Sequence, residues 1–396
     1  MNNNISFRIK LSFFLRRILH SFLRLIPKQD GLVLLTAWFG EKYIDNTKYV
    51  YEYLLKDSNY KVCWMTRNLQ IYQQLKKDNK PVALFNSLEG ILKQIRAQAV
   101  FSTIQLYEYD QRLLTNTIYI DLGHGHPIKD PGKNQSQEPI LSIQKHYLAN
   151  IHYYGIKASE FAKKKYQDVV PVTPDRVFIS DFARNDVFID ESLRVGKNAI
   201  VDEYKKDRKA IVYMPTHRSD GKRIMDLNTI LPFDDIQVFC EENDYVFIIK
   251  KHFYHRNETE DLSKYNRIFD ITNEDDIDPQ VLLYQTDVLI SDYSACYIDY
   301  LLLDRPLMFY HYDLKEFQEH ERSLYIPFEK IDIAPIAYSK SDFIEQLRIA
   351  CNPEDIYGKK RRNFTPTYFK NTKQKNGRRK VKQILDQLME KYYKKQ

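Results

Sequence analysis

Cysteine is scarce in this chain. Four residues, at positions 63, 240, 296 and 351 of 396, stand too far apart for a Cys-x-x-Cys metal pair or a disulfide framework, and this fits a reducing compartment. Long apolar runs are also missing: no stretch approaches the roughly 20 uninterrupted apolar residues of a bilayer-spanning helix. No small-residue cleavage site closes the N-terminal apolar stretch, where Leu25-Ile26-Pro27-Lys28 stands, so the segment is expected to be retained rather than cut as a signal peptide. No internal repeat or low-complexity linker is visible, which sets aside repeat architectures.

What is present is core-forming material. Apolar residues make up 43% and charged residues 29%, with 22 Phe and 30 Tyr, so disorder is excluded and the length suits two or three domains. The net charge of +7 conceals a segregation. Residues 1–28 carry six Lys/Arg and no acid, residues 359–380 carry ten and no acid, and residues 29–358 hold 40 basic against 51 acidic side chains. A nucleic-acid binder would spread its positive charge over the folded body, so the two basic ends are read as contacts with an anionic surface, a membrane first, and no nucleic-acid partner is expected. Phe7, Leu11, Phe14, Ile18, Phe22 and Leu25 recur at helical spacing, interrupted by Arg8, Lys10, Arg16, Arg17 and Arg24. That pattern predicts an amphipathic helix lying on a membrane surface, or docked on the protein's own core.

From Gly31 onward, short β-branched or aromatic runs alternate with helical stretches. The candidate strands are GLVLLTAW, YKVCWMT, PVALFN, AVFST and TIYIDL, then RVFIS, AIVYMP, YVFIIK, DVLIS and PLMFY. The pattern predicts an α/β fold of two Rossmann-like halves facing a central cleft, with the basic C-terminal helix packing back across them. The expected divisions are a membrane-contact segment at 1–28, halves at 29–170 and 171–375, and a helix at 376–396.

Ligands of open α/β sheets sit beyond the carboxyl ends of strands, so polar clusters at those ends are the candidate sites. After TIYIDL comes Asp121-Leu122-Gly123-His124-Gly125-His126-Pro127-Ile128-Lys129. Glycines on both sides let the backbone bend and a ligand approach His124, whose imidazole suits a general base. His126 offers a His-x-His pair but no third ligand has metal spacing, so no metal is expected. Thr216-His217-Arg218 ends another strand, and Arg218 suits a bidentate phosphate contact. Lys250-Lys251-His252 follows YVFIIK and could meet a diphosphate, the plainer reading being a solvated strand end for Lys251 and His255. Ser291-Asp292-Tyr293-Ser294 follows DVLIS, and the spacing of Tyr297, Leu301 and Leu302 predicts a helix. Ser294 at its N-terminus would hold an anion, or Asp292 or Ser294 would simply cap it.

Together these blocks resemble the CDP-glycerol glycerophosphotransferase family of teichoic acid and capsule synthesis, over most of residues 31–380. His124-Gly125-x-Pro127-Ile128-Lys129-x-x-Gly132 resembles HGTPLKxxG, with His126 in place of Thr. Met214-Pro215-Thr216-His217-Arg218 resembles APTWRD, and Lys250-x-His252-Phe253 resembles KLHP. Ser291-Asp292-Tyr293-Ser294-Ala295, with Asp299, Asp304-Arg305-Pro306 and Tyr312-Asp313-Leu314, resembles the SDYSS…D…LDRP…YDL signature, Ala295 departing from the second Ser. Asp45-Asn46 and Ala183-Arg184-Asn185-Asp186 are weaker echoes of DNP and PRND.

The resemblance implies a GT-B architecture with an N-terminal acceptor half and a C-terminal half for CDP-glycerol or a related CDP-polyol. It implies His124 as the base, with Arg218, Lys250, His252 and Ser294 on the donor phosphates, and Gly125, Lys129, Thr216, Asp292 and Asp299 as further cleft residues. No cofactor or metal is implied. The acceptor would be a lipid-linked saccharide or polymer, met at the cytoplasmic face of the bacterial membrane. Glycerol phosphate, ribitol phosphate and a sugar phosphate all remain possible as the transferred group, since His126 and His217 could alter a substrate pocket and Ala295 removes a donor. A GT-B glycosyltransferase using a nucleotide sugar, and a non-catalytic membrane-associated binder of anionic polymers, are the rival readings.

Overall fold

The computed structural model describes residues 20–130, 148–216, 218, 225–252, 255, 260–274, 277–320, 323–374 and 376–394. Most of the N-terminal stripe, with Gly132, His217 and Phe253, lies outside the described residues. The chain divides into two compact units. One comprises Met1–His124, Ser136–Arg184 and Lys375–Gln396, and the other Gly125–Gln135 and Asn185–Gln374.

The first unit is built on β1 (Leu32–Leu35), β2 (Lys61–Thr66), β3 (Val82–Leu84), β4 (Ala99–Ser102), β5 (Ile118–Asp121), β6 (His152–Lys157) and β7 (Val177–Ile179). They form one parallel sheet in the order β3-β2-β1-β4-β5-β6-β7. The second is built on β8 (Lys209–Met214), β9 (Tyr245–Ile249), β10 (Ile268–Asp270), β11 (Val288–Ser291), β12 (Leu307–Tyr310) and β13 (Ile336–Ala337), again all parallel, in the order β10-β9-β8-β11-β12-β13. Runs such as Leu32–Leu35, Ala99–Ser102 and Val288–Ser291 are buried at every position, as strands covered on both faces must be. Helix starts follow capping chemistry: Asn68, Ser87, Ser159 and Asp278 each accept backbone N–H groups of the helices they precede. In both sheets the order reverses beside the first strand, between β1 and β4 and between β8 and β11. Those are the topological switch points at which doubly wound sheets bind ligands.

Two Rossmann-like units agree with the α/β, GT-B expectation, but the boundaries move. RVFIS, expected in the second half, is β7, and its pairing with β6 closes the first sheet, so the units divide at Arg184/Asn185 rather than near 170. The C-terminal helix Gly377–Tyr393 belongs to the first unit, where Asp386 accepts from the Tyr60 hydroxyl at 2.7 Å and the Tyr392 ring stacks on His152 at 3.7 Å. Strands β6, β10 and β13 were not foreseen. β6 carries His152, Gly155 and Lys157 among its tyrosines, while β10 and β13 are edge strands of three and two residues.

Part of the basic ends is neutralised within the fold. Lys28 Nζ donates to the Ile95 carbonyl at 2.7 Å and to Thr117 Oγ1 at 2.9 Å, and burial pushes its pKa down to about 8. Arg361 is buried against Asp355, Arg362 pairs with Asp304, Lys360 with Asp332 and Lys380 with Asp181. Of the predicted N-terminal stripe, Phe22 and Leu25 are 65% and 79% exposed, whereas Leu23 and His20 are buried. Among the described residues no helix is long and apolar enough to cross a membrane.

Gly90 shows how tightly the first unit is layered. A Cβ there would lie 1.9 Å from the Leu84 carbonyl oxygen, because the helix Leu88–Arg96 is pressed onto the backbone leaving β3. Gly90→Ala is therefore expected to destabilise the protein by about 1–3 kcal/mol, the usual cost of overpacking; a thermal melt matching wild type would contradict this packing.

Candidate active site

The chain leaves β5 at Asp121 and turns through Gly123, which holds φ 71, whereas Gly125 is not among the glycines with positive φ. Only one of the two flanking glycines is therefore used for its backbone freedom. His124 is solvent-exposed at the carboxyl edge of the first sheet. Its Nδ1 lies 3.1 Å from the carbonyl oxygen of Thr103, one residue beyond β4. A carbonyl only accepts, so Nδ1 carries the hydrogen and the neutral ring keeps its lone pair on Nε2. Trp38, just beyond β1, packs edge-on to the imidazole with ring centroids 5.3 Å apart.

The two weakest sequence echoes meet here. Arg184 Nη1 donates to Asp45 Oδ1 at 2.8 Å and to the His124 carbonyl at 2.6 Å. Asn46 donates through Nδ2 to the Gly123 carbonyl at 3.1 Å and accepts the Arg184 backbone N–H at 3.1 Å. Beneath lies Glu108, fully buried, whose carboxylate accepts from Thr103 and Phe39; burial pushes its pKa up to about 7 against the pull of those hydrogen bonds. Trp38, Thr103 and Glu108 belong to none of the polar clusters or motifs that the sequence offers.

In the second unit the switch-point residues are organised by a buried carboxylate. Asp292, after β11, accepts the Thr216 backbone N–H at 2.9 Å, the Thr216 hydroxyl at 2.6 Å and Arg218 Nη2 at 2.9 Å. Arg218 also donates from Nε to Asp313 Oδ2 at 2.8 Å and from Nη1 to the Thr216 carbonyl at 2.5 Å. Asp313 is completed by the Tyr293 hydroxyl at 3.0 Å. Arg218, expected on a donor phosphate, is only 4% exposed, and two carboxylates and a carbonyl occupy its fork, so it braces the loops after β8, β11 and β12. Thr216 and Asp292 are likewise interior partners in that brace.

Lys250 reaches sideways, its Nζ donating to the Thr272 carbonyl at 3.0 Å beside β10. Lys251 and His255, for which a diphosphate contact and a solvated strand end are equal readings of the sequence, are buried, Lys251 pairing with Glu260 at 3.0 Å. His252 and Ser294 are half-buried at the carboxyl edge of the sheet. The helix predicted after Ser294 is short, Cys296–Tyr300, and Ser294 Oγ accepts the Cys296 backbone N–H at 3.3 Å, so a capping-type role is realised there.

The segment Gly125–Gln135 belongs to the second unit. His126 is buried, its Nε2 3.1 Å from Asp299 Oδ1, and Asp299 also accepts from Asn185 at 2.7 Å and Gln280 at 3.3 Å. The His126 ring meets Phe369 edge-on at 4.7 Å. His126 and Asp299 are therefore interior partners of one another. Lys129 is half-buried, pairs in a bridge with Leu324 and lies over the Phe317 ring at 5.3 Å. Among the described residues no cluster of His, Cys, Asp or Glu could hold a metal ion.

His311, after β12, is a further interior residue that sequence reasoning did not single out. Its Nε2 lies 3.3 Å from the Asp292 carbonyl and its ring stacks on Tyr293 at 5.0 Å. Burial pushes its pKa down to about 4. The unfolded chain binds a proton that the native state refuses, so stability is present above pH 6.5 and is lost as pH falls from 6.5 through about 4, by up to about 3 kcal/mol. His311→Phe, which keeps the stacking, is expected to lack that contribution. Urea unfolding of both proteins should show the wild-type advantage shrinking across this window, and parallel curves would refute it.

Residues 18–386 match the family described as CDP-glycerol:poly(glycerophosphate) glycerophosphotransferase. The teichoic acid glycerol-phosphate transferase of Staphylococcus aureus is 25% identical over 348 residues, 82% of this chain and 84% of that protein. A teichoic acid poly(glycerol phosphate) polymerase of Staphylococcus epidermidis is 25% identical over 388 residues, and there the chain spans about half, 52%, of the relative's length. The solved structure of the wall teichoic acid polymerase TagF superposes with a TM-score of 0.74 at 19% identity, covering 99% of this chain and 98% of that one, which establishes the shared fold.

Proposed function

The chain belongs to the CDP-glycerol:poly(glycerophosphate) glycerophosphotransferase family, and on that premise we propose that it transfers a polyol phosphate from a CDP-polyol, glycerol phosphate from CDP-glycerol first, to a hydroxyl of a lipid-linked saccharide or polymer in teichoic acid synthesis. The observation that carries the reading is the His124 tautomer. With Nδ1–H given to the Thr103 carbonyl, Nε2 is the nitrogen that takes the acceptor's hydroxyl proton. The acceptor oxygen then bonds to the phosphorus bearing the polyol, the bond from that phosphorus to the bridging pyrophosphate oxygen breaks, and CMP departs with the electron pair.

The first unit is the acceptor unit in this reading and the second the donor unit. His252 and Ser294, half-buried at the carboxyl edge of the second sheet, are the donor-phosphate contacts. Arg218, Lys250, Thr216 and Asp292 hold the loops from which those contacts project. No step draws on a metal or cofactor. The protein works at the cytoplasmic face of the membrane as a peripheral enzyme. The cations of residues 1–24 and the outward-facing Phe22 and Leu25 support that placement, whereas Lys28 and much of the 359–380 cluster are already engaged within the protein.

His124→Ala is expected to lower acceptor-dependent CMP release about 100-fold or more. Mass spectrometry of the product, with CDP-glycerol, CDP-ribitol and UDP-sugars offered in parallel, identifies the transferred group. Wild-type rates in the variant would remove the base, and transfer from a UDP-sugar alone would favour a glycosyltransferase.

A further inference from the structure

We propose that Glu108 is a positioning residue for His124, acting through Thr103; this rests on His124 being the base. The carboxylate of Glu108 is completely buried and gathers three donors from two loops. Oε2 accepts the Thr103 backbone N–H at 2.6 Å, and Oε1 accepts the Thr103 hydroxyl at 2.8 Å and the Phe39 backbone N–H at 3.1 Å. The Thr103 hydroxyl, its hydrogen committed to Glu108, accepts the Trp38 backbone N–H at 3.1 Å. One carboxylate thus fixes both the amide and the side chain of the residue whose carbonyl receives His124 Nδ1–H.

The same carboxylate holds the wall on the other side of the imidazole. Trp38 and Phe39 sit at φ 50 and φ 60, in the left-handed region that side-chain-bearing residues seldom occupy. Their two N–H groups are the ones captured by Thr103 Oγ1 and Glu108, which keeps the Trp38 ring edge-on to His124. Every group facing Glu108 here donates, so only a carboxylate satisfies all of them. An amide in its place would point an NH2 at an N–H and leave a buried donor unpaired. Glu108 touches neither the imidazole nor any group assigned to substrate, so its effect reaches the chemistry through orientation and tautomer alone.

The test compares the full-length wild type with Glu108→Gln, Thr103→Val and Thr103→Ser. Ring-nitrogen NMR of His124 at pH 8.5, assigned by difference against His124→Ala, reads the tautomer. Steady-state transfer from CDP-glycerol reads kcat and KM. The wild type is expected to hold the Nδ1–H tautomer. Glu108→Gln and Thr103→Val should lose that preference and lower kcat about tenfold or more, with KM for CDP-glycerol within about twofold, while Thr103→Ser keeps both properties. Should Glu108→Gln fail to fold, the Thr103 pair carries the comparison. An Nε2–H tautomer in the wild type, or an unchanged tautomer in the Glu108→Gln and Thr103→Val proteins whatever their kcat, overturns the proposal. Retained transfer by His124→Ala removes the base itself, a separate result from the tautomer measurement.

Discussion

The hydrogen bond from His124 Nδ1 to the Thr103 carbonyl decides which imidazole nitrogen can take a proton, and much of the first unit is arranged to make it. The two residues come from loops that follow neighbouring parallel strands, β5 and β4, so the register of those strands sets their separation. Arg184 and Asn46 hold the backbone on either side of the imidazole, and Glu108 anchors Thr103 from below. An exposed histidine held from several directions differs from an exposed histidine on an unanchored loop, because its orientation entropy has already been removed.

In the second unit the organising element is ionic. Asp292, Arg218 and Asp313 are all interior, and such a cluster tolerates burial only because each charge is matched by another charge or by a donor, as Thr216 and Tyr293 provide. The cost of desolvating these groups is offset by fixing three loops at one end of the sheet. A motif arginine that looks like an anion ligand by residue type braces these loops, and His252 and Ser294 lie half-buried at the same edge of the sheet. His126 repeats the lesson: it stands where the family pattern has Thr, and its imidazole is directed inward to Asp299.

Charge segregation along the chain survives in altered form. Four of the ten cations of residues 359–380 pair with Asp332, Asp355, Asp304 and Asp181. A formal count of cations therefore overstates what this end presents to an anionic surface, while the apolar side chains of Phe22 and Leu25 remain outward.

By itself the sequence determined the class of fold, ten of the thirteen strands among the described residues, and the strand ends at which chemistry had to be sought. Those properties are local, since buried parallel strands are continuous apolar runs and the turns after them carry the polar residues. It also marked His124, because a histidine framed by glycines directly after a strand is a short-range pattern. Tertiary structure alone decided what each polar residue does. Whether Arg218 meets a phosphate or a carboxylate depends on Asp292 and Asp313, 74 and 95 positions away, and His124 owes its tautomer to a carbonyl 21 residues earlier. Hydrogen bonds and ion pairs act over about 3 Å of space whatever the separation along the chain, so partners of this kind leave no trace in spacing or composition.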